Sequence, residues 1–379
     1  MYHSKMNEEN FLGKNLRVAF IHDWLVTYRG GEKVLESIGK LFPTAPIYTL
    51  FYDPSQIPPS LRQRDIRYPK TLNYLKKFRK PLLPFLPSLI ESIDLRGYDL
   101  IISTSSCVAK GVIPSVEAKH LCYIHSPMRY IWDQRGEYFQ NIENIPVISN
   151  LLALMLSRLR VWDVVSSHRV DSFVANSHFI KKRVEKFYRR EANVVHPPVS
   201  LDSFYPKNKE FSKKDNFFLA AGALVPYKRF DLAIQACKEL GVKLVVAGAG
   251  PSEGYLRSLG DENIEFIRSP DQNLWVNLMQ KAKALLFPGV EDFGIIPIEA
   301  MASGTPVIAY KSGGVLDYLE EGKNAKFFEE QSKDSLIQAL SHFSLKDFDA
   351  ETIIKSTERF SEERFLREFS QEINRLIGV

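Results

Sequence analysis

Residues 284–304 read ALLFPGVEDFGIIPIEAMASG. The apolar run Ala284 to Pro288 has the composition of a buried strand, and it feeds a loop carrying Glu291 and Gly294. Pro297 stands where a first helical position is expected, Glu299 and Met301 follow, and Gly304 closes the helix. Strand, loop and capped helix in that order gather the unpaired amides of a helix start and two carboxylates around one small volume. Amides suit phosphate oxygens and hydroxyls, while carboxylates accept from sugar hydroxyls without being protonated. The arrangement suits a nucleotide sugar. Its plain alternative is a surface loop with two solvated glutamates, and the embedding between strand and helix carries the weight of the functional reading.

The same alternation extends in both directions. Leu16 to Ile21 reads as a buried strand leading into HDWLVTYRGGEKVLESIGKLF, where Gly30 and Gly31 precede a helix with Val34, Leu35, Ile38 and Leu41 at helical spacing. IYTLFY, YDLIISTSS, HLCYIHS, VDSFVANS and NVVHPPV continue the series up to residue 199. After the lysine-rich 207–216 the pattern restarts with FFLAAGAL, a helix from Arg229 to Leu240, KLVVAGAG, NIEFI, a helix around Leu274 to Ala282, ALLFPG and TPVIAY. Short apolar strands alternating with helices predict two doubly wound α/β domains of parallel strands facing a cleft. Ligands of such folds sit at the carboxyl ends of strands.

Length supports the division, since 379 residues exceed one ordinary core and favour two domains of roughly 150 to 200 residues. Hydrophobic residues at 45% argue against a disordered chain, and a formal charge of +5 is too modest to indicate nucleic-acid binding. Cys107, Cys122 and Cys237 are widely spaced and form neither a disulfide framework nor a zinc pattern, which fits a reducing compartment and no bound metal. The polar start MYHSKMNEENFLGKN lacks the apolar core of a signal peptide, and the uncharged stretch 145–157 is too short to span a bilayer. A cytoplasmic protein is expected, or one resting on the inner face of the cell membrane.

Individual residues then carry chemistry. Gly30 and Gly31 admit either a plain loop of positive φ or backbone amides brought close to an anion. Lys228, just before a helix, is placed to hold a diphosphate, and its neighbour Arg229 points elsewhere or assists. His125 follows a strand among Arg129, Tyr130, Trp132 and Asp133, surroundings that suit the faces and hydroxyls of a sugar; the alternative is a structural histidine. Gly248-Ala249-Gly250 with Gly254 partly matches a dinucleotide fingerprint, but Pro251 interrupts it and it does not open the first domain, so a nicotinamide oxidoreductase is the minor reading. The segment 68–93 mixes Lys70, Lys76, Lys77, Arg79 and Lys80 with Leu, Phe and Pro, as a surface contacting anionic lipid would; a helix pair with solvated lysines is the alternative.

Six pieces, HDWLVTYRGGEKVL, CYIHSPMRYIWD, ANSHFIKKRV, VVHPPVSLDSF, LVPYKRFDLAI and PGVEDFGIIPIEAMASGTPVIA, occur in that order. Together they resemble the family 4 glycosyltransferases of GT-B fold over nearly the whole chain. YIHSPMRYIWD and LVPYKRFDLAI are similar to bacterial mannosyltransferases of O-antigen and surface-polysaccharide synthesis. The resemblance implies a retaining, metal-independent hexosyltransferase without cofactor, with domains at 1–200 and 201–358 and a final helix, 359–379, crossing back to the first domain. It implies GDP-mannose, or a UDP-sugar, as donor and a lipid-linked or growing saccharide as acceptor. Glu299 would hold the ribose hydroxyls and Glu291 the donor sugar. The amides around Phe293, Gly294 and Ile295 would support that sugar and its phosphate. Lys228 would bind the diphosphate with Gly30 and Gly31 closing over it, and His125 would lie near the transferred sugar. One position departs from the family pattern: Ala223 stands where a second cation for the diphosphate is common. Arg229 or another basic residue would have to compensate, or the chain would bind sugar nucleotides without catalysis.

Overall fold

The computed structural model describes residues 16–78, 81–133, 146–206 and 214–378. The polar start up to residue 15, Arg79 and Lys80 of the basic segment, and most of the lysine-rich linker lie outside the described residues. The chain divides into two compact units, Met1–Pro198 with Glu362–Val379, and Val199–Ser361.

The first unit is built on β1 (Val18–His22), β2 (Ile47–Thr49), β3 (Ile66–Arg67), β4 (Leu100–Ser105), β5 (Lys119–Ile124), β6 (Ser172–Ala175) and β7 (Asn193–Val194). All pair in parallel, in the order β3-β2-β1-β4-β5-β6-β7. Central strands of such a sheet are covered on both faces, so they read as unbroken apolar runs; β1 and β4 are buried at every position. Helices α1 (Gly30–Gly39), α2 (Pro146–Ser167) and α3 (His178–Tyr188) belong to this unit.

The second unit repeats the plan with β8 (Phe218–Ala221), β9 (Leu244–Ala247), β10 (Ile264–Ile267), β11 (Leu285–Phe287), β12 (Val307–Tyr310) and β13 (Ala325–Phe328), ordered β10-β9-β8-β11-β12-β13. Its helices include α4 (Phe230–Leu240), α5 (Glu253–Leu259), α6 (Gln272–Lys281), α7 (Ile295–Ala302) and α8 (Lys333–Ser341). Taken from its own first strand, this is the 3-2-1-4-5-6 order of dinucleotide-binding folds.

The last helix, α9 (Glu362–Ile377), packs within the first unit. Its apolar stripe buries Phe365, Phe369 and Ile373, and the rings of Phe365 and Phe369 meet Tyr123 at 5.9 and 6.1 Å. At its start Glu362 accepts from Ser37 Oγ at 2.7 Å.

Three local expectations are corrected. Gly30 and Gly31 form the first turn of α1 rather than a loop before it, and neither has positive φ. The segment 68–93 is no helix pair: prolines at 69, 81, 84 and 87 cut it into turns of three to six residues. Helix α7 starts two residues earlier than expected, which puts Pro297 third in it. The missing N–H costs nothing there, because no amide of a first turn has an intrahelical acceptor.

Burial also sets an acid sensitivity in the first unit. His120 is fully buried in β5 with Nε2 2.8 Å from Ser103 Oγ, and desolvation lowers its pKa to about 3. His125 is likewise lowered to about 3, first by burial and then by His22 and Arg129. The unfolded chain takes up these protons near the ordinary value of about 6.5, whereas the folded chain resists until about 3. Stability is therefore complete above about pH 6.5 and lost as pH falls towards 3. Urea midpoints measured between pH 4 and 7 should fall with acid, and His120→Gln should flatten that slope.

Candidate functional site

The order of the second sheet reverses between β8 and β11, and a ligand crevice opens at such a switch point. The loops leaving these two strands carry Lys228 and Glu291. After β8 the chain runs through Ala223 into a single 3₁₀ turn, Pro226–Lys228. After β11 it forms the loop 288–294 and enters α7. Lys228 Nζ lies 2.5 Å from Glu291 Oε1, with the two side chains 7% and 19% exposed. The contact is an ion pair by distance alone, since Glu291 Oε1 accepts no well-directed hydrogen bond. An ammonium this sheltered is weakly screened and is strongly drawn to any anion brought beside it.

The loop before α7 is shaped from beneath. Gly314 N donates to Glu291 O at 2.8 Å, and the buried Tyr318 hydroxyl donates to Gly294 O at 2.5 Å and Phe293 O at 3.1 Å. With its carbonyls drawn to one side, the loop leaves the amides of Gly294 and Ile295 without an acceptor among the described residues. Gly294 has φ +86°, and an added Cβ would lie 2.9 Å from the Tyr318 oxygen, so glycine is required on both counts. Glu299 is on the second turn of α7, where its Oε2 accepts from Trp275 Nε1 at 3.0 Å.

Arg229 does not join this group. It adopts a left-handed conformation at φ 52°, and its guanidinium grips Asp231 through Nε at 3.1 Å and Nη2 at 3.0 Å. Ala223 supplies no charge, so Lys228 is the cation that this pair of loops presents. The glycines at 248 and 250 have a packing role: Leu224 N donates to Ala249 O, and added Cβ atoms would fall 1.9 Å from Gly222 O and 2.3 Å from Leu224 O. The space that a dinucleotide phosphate would need is filled by backbone.

The first unit treats its own switch point differently. Between β1 and β4 the carboxylate of Asp23 accepts from the amides of Ser106, Cys107, Val108 and Ala109 at 2.6 to 2.9 Å, and from Ser106 Oγ at 3.0 Å. This nest of amides is satisfied by the chain's own carboxylate. Nearby, His125 Nε2 is buried without a hydrogen-bond partner and lies 3.5 Å from where a Cβ on Gly31 would be. Its carbonyl accepts from Asn176 Nδ2 at 3.1 Å. Lys228, Glu291, the α7 amides and Glu299 thus share the second unit, while His125, Gly30 and Gly31 share the first. Asp23, Trp275 and Tyr318 act on partners 24 to 86 residues away, and no local motif announces them.

The family model described as glycosyl transferases group 1 matches residues 202–363, almost all of the second unit. An uncharacterized glycosyltransferase of Methanocaldococcus jannaschii is 24% identical over 284 residues, covering 71% of this chain and 78% of that protein. The alpha-1,3/1,6-mannosyltransferase ALG2 of Kluyveromyces lactis is 26% identical over 293 residues, 62% of this chain and 55% of that protein. Among solved structures, Anabaena HepE in complex with UDP superposes with a TM-score of 0.68 at 14% identity, covering 95% of this chain and 100% of that one. Residues 202–363 match the glycosyl transferases group 1 family, and the chain carries the GT-B fold, two Rossmann-like parallel-sheet units.

Proposed function

We propose that the protein transfers a hexose from a nucleotide sugar to a hydroxyl of a saccharide, with GDP-mannose as the donor of first choice. The observation that carries this reading is the meeting of Lys228, Glu291 and two unspent amides at the second unit's switch point. Lys228 and the α7 amides take the diphosphate, Glu291 takes hydroxyls of the donor sugar, and Glu299 takes the ribose. Kinship with a mannosyltransferase supports mannose, and a UDP-sugar is the competing donor.

Transfer proceeds with retention. The C1–O bond to the diphosphate breaks, the acceptor oxygen bonds to C1 on the same face, and its proton passes to the departing phosphate oxygen. Rate comes from orientation and from charge stabilisation at the leaving diphosphate. Lys228 and the helix-start amides supply that charge, so EDTA is expected to leave transfer intact. His125, neutral at physiological pH, serves the transferred sugar, and the amides of Gly30 and Gly31 serve the phosphate side.

A thermal-shift panel of GDP-mannose, GDP-glucose, UDP-glucose and ADP-glucose tests the donor, because a ligand of the folded state raises the melting temperature. The largest shift is expected with GDP-mannose. A shift confined to UDP-glucose would replace it, and no shift with any donor would sink the reading. Glu299→Ala should abolish most of the winning shift. The pairing of Arg229 with Asp231 favours one second reading, a binding protein that holds the donor without turnover. Donor binding with no release of free nucleotide across an acceptor panel would select it.

The reading extends to contact with an anionic membrane surface during synthesis of a surface polysaccharide on a lipid-linked acceptor. No described helix is long and apolar enough to cross a membrane. In the first unit, however, Phe85 and, on α2, Leu151, Leu154, Val161 and Val165 are each more than half exposed, and Lys70, Lys77 and Arg158 belong to the same segments. A groove of about 400 Å³ runs between Phe85 and Leu151. Co-sedimentation with phosphatidylglycerol vesicles is expected, and Leu151→Glu with Leu154→Glu should abolish it. Equal sedimentation of wild type and variant would remove α2 from the contact.

A further inference from the structure

We propose that Trp275 is a positioning residue of the donor site and sets its preference for a ribonucleotide over a deoxyribonucleotide. The inference rests on the reading of Glu299 as the ribose contact.

The geometry begins at the start of α6. Asp271 caps this helix, its Oδ1 accepting from Leu274 N at 2.8 Å and its carbonyl from Trp275 N at 2.9 Å. Trp275 is thereby fixed in the first full turn. Its ring packs against the core of the second unit, and its Nε1 donates to Glu299 Oε2 on the neighbouring helix α7. An indole N–H is a donor only, so the contact has one possible polarity.

A free glutamate side chain samples several rotamers and spins its carboxylate plane. An N–H···O bond of 3.0 Å to a ring packed on the core constrains the plane and the direction of both oxygens. Two adjacent hydroxyls of a ribose can then meet two oxygens that are already oriented, which lowers the ordering cost of binding. A site prepared in this way rejects an analogue lacking a hydroxyl, because an oriented carboxylate oxygen is left unpaired. Trp275 touches none of the reacting atoms on this account; its effect passes through Glu299.

The test is calorimetric titration of the whole protein with GDP and 2′-deoxy-GDP, and with UDP and 2′-deoxy-UDP. Wild type is expected to prefer the ribonucleotide of its own base by roughly tenfold or more, the worth of a hydrogen bond to a charged group. Trp275→Phe keeps the ring and removes the donor. It should erase most of that preference while deoxynucleotide affinity stays within about twofold, since only the hydroxyl contact is disturbed. Trp275→His, which restores a ring N–H, should recover part of the preference and serves if the Phe variant folds poorly. Glu299→Gln separates the two layers. If it loses the preference while Trp275→Phe retains it, the role of Trp275 is overturned. If neither wild type nor Glu299→Gln discriminates, the ribose reading of Glu299 itself fails. An equal loss of ribo- and deoxynucleotide affinity in Trp275→Phe would mark a merely structural tryptophan and also overturn the proposal.

Discussion

Replacing Lys228 by alanine should lower the turnover of sugar transfer by about two to three orders of magnitude, the usual effect of removing one electrostatic donor at a developing negative charge. The expectation sits at the top of that range because its two loops offer no substitute. Ala223 carries no charge, and the guanidinium of Arg229 is committed to Asp231 through two contacts. The ammonium is 7% exposed, so solvent does little to screen it. Glu291 Oε1 lies 2.5 Å from it, and an arriving diphosphate must share or displace that partner. Glu291, released from the pair, becomes available to sugar hydroxyls, which couples the two roles. Lys228→Ala should therefore lower kcat at saturating donor more than it raises KM, and Ala223→Arg should restore part of the loss. Near wild-type kcat in Lys228→Ala would remove the residue from the mechanism.

The sheets were readable because their central strands are buried on both faces and so lack the polar interruptions that blur a helix from a strand. LVVA of β9 and LLF of β11 are each followed directly by glycine or proline, Gly248 and Pro288. Short edge strands gave less away: β3 has two residues, one of them the exposed Arg67, and nothing in that composition separates it from a turn. The site divides along the same line. Residues in loops directly after strands, Lys228 and Glu291 among them, could be named from position alone, since a doubly wound fold puts ligands there. Their supports could not. Asp23 is held by amides more than eighty residues away, Tyr318 reaches back to Gly294, and Trp275 reaches forward to Glu299. Such contacts are properties of the folded chain, and a single sequence holds no local trace of them. The glycine pair at 30 and 31 shows the converse limit. Its position after a strand was informative, but whether it formed a loop or a helical turn was not encoded in two residues that permit both.

Gly248→Val should destabilise the second unit by about 3 kcal/mol or more, a loss of the size expected when a strained backbone angle and a hard clash coincide. Gly248 has φ +147°, and a Cβ there would sit 1.9 Å from the carbonyl oxygen of Gly222. The neighbouring atoms are backbone, and that backbone is tied in place: Gly222 N donates to Ala247 O at 2.9 Å, and Leu224 N to Ala249 O at 3.0 Å. Relief would require separating the loops that follow β8 and β9, and the former leads straight into Lys228. Gly254 provides the contrast, because a Cβ there meets nothing within 4 Å and the residue lies inside α5. Gly254→Ala should be neutral or stabilising by about 0.5–1 kcal/mol, the ordinary gain of alanine over glycine in a helix. A phosphate-cradling fingerprint would make all three glycines matter for ligand binding, with folding little changed. Packing makes the first two costly to stability, whatever ligand is present, and the third dispensable. Urea unfolding of Gly248→Val, Gly250→Val and Gly254→Ala, each with and without NADH, therefore separates the readings: stability lost at the first two positions only, with no shift by NADH, is the outcome that the contact between these loops requires.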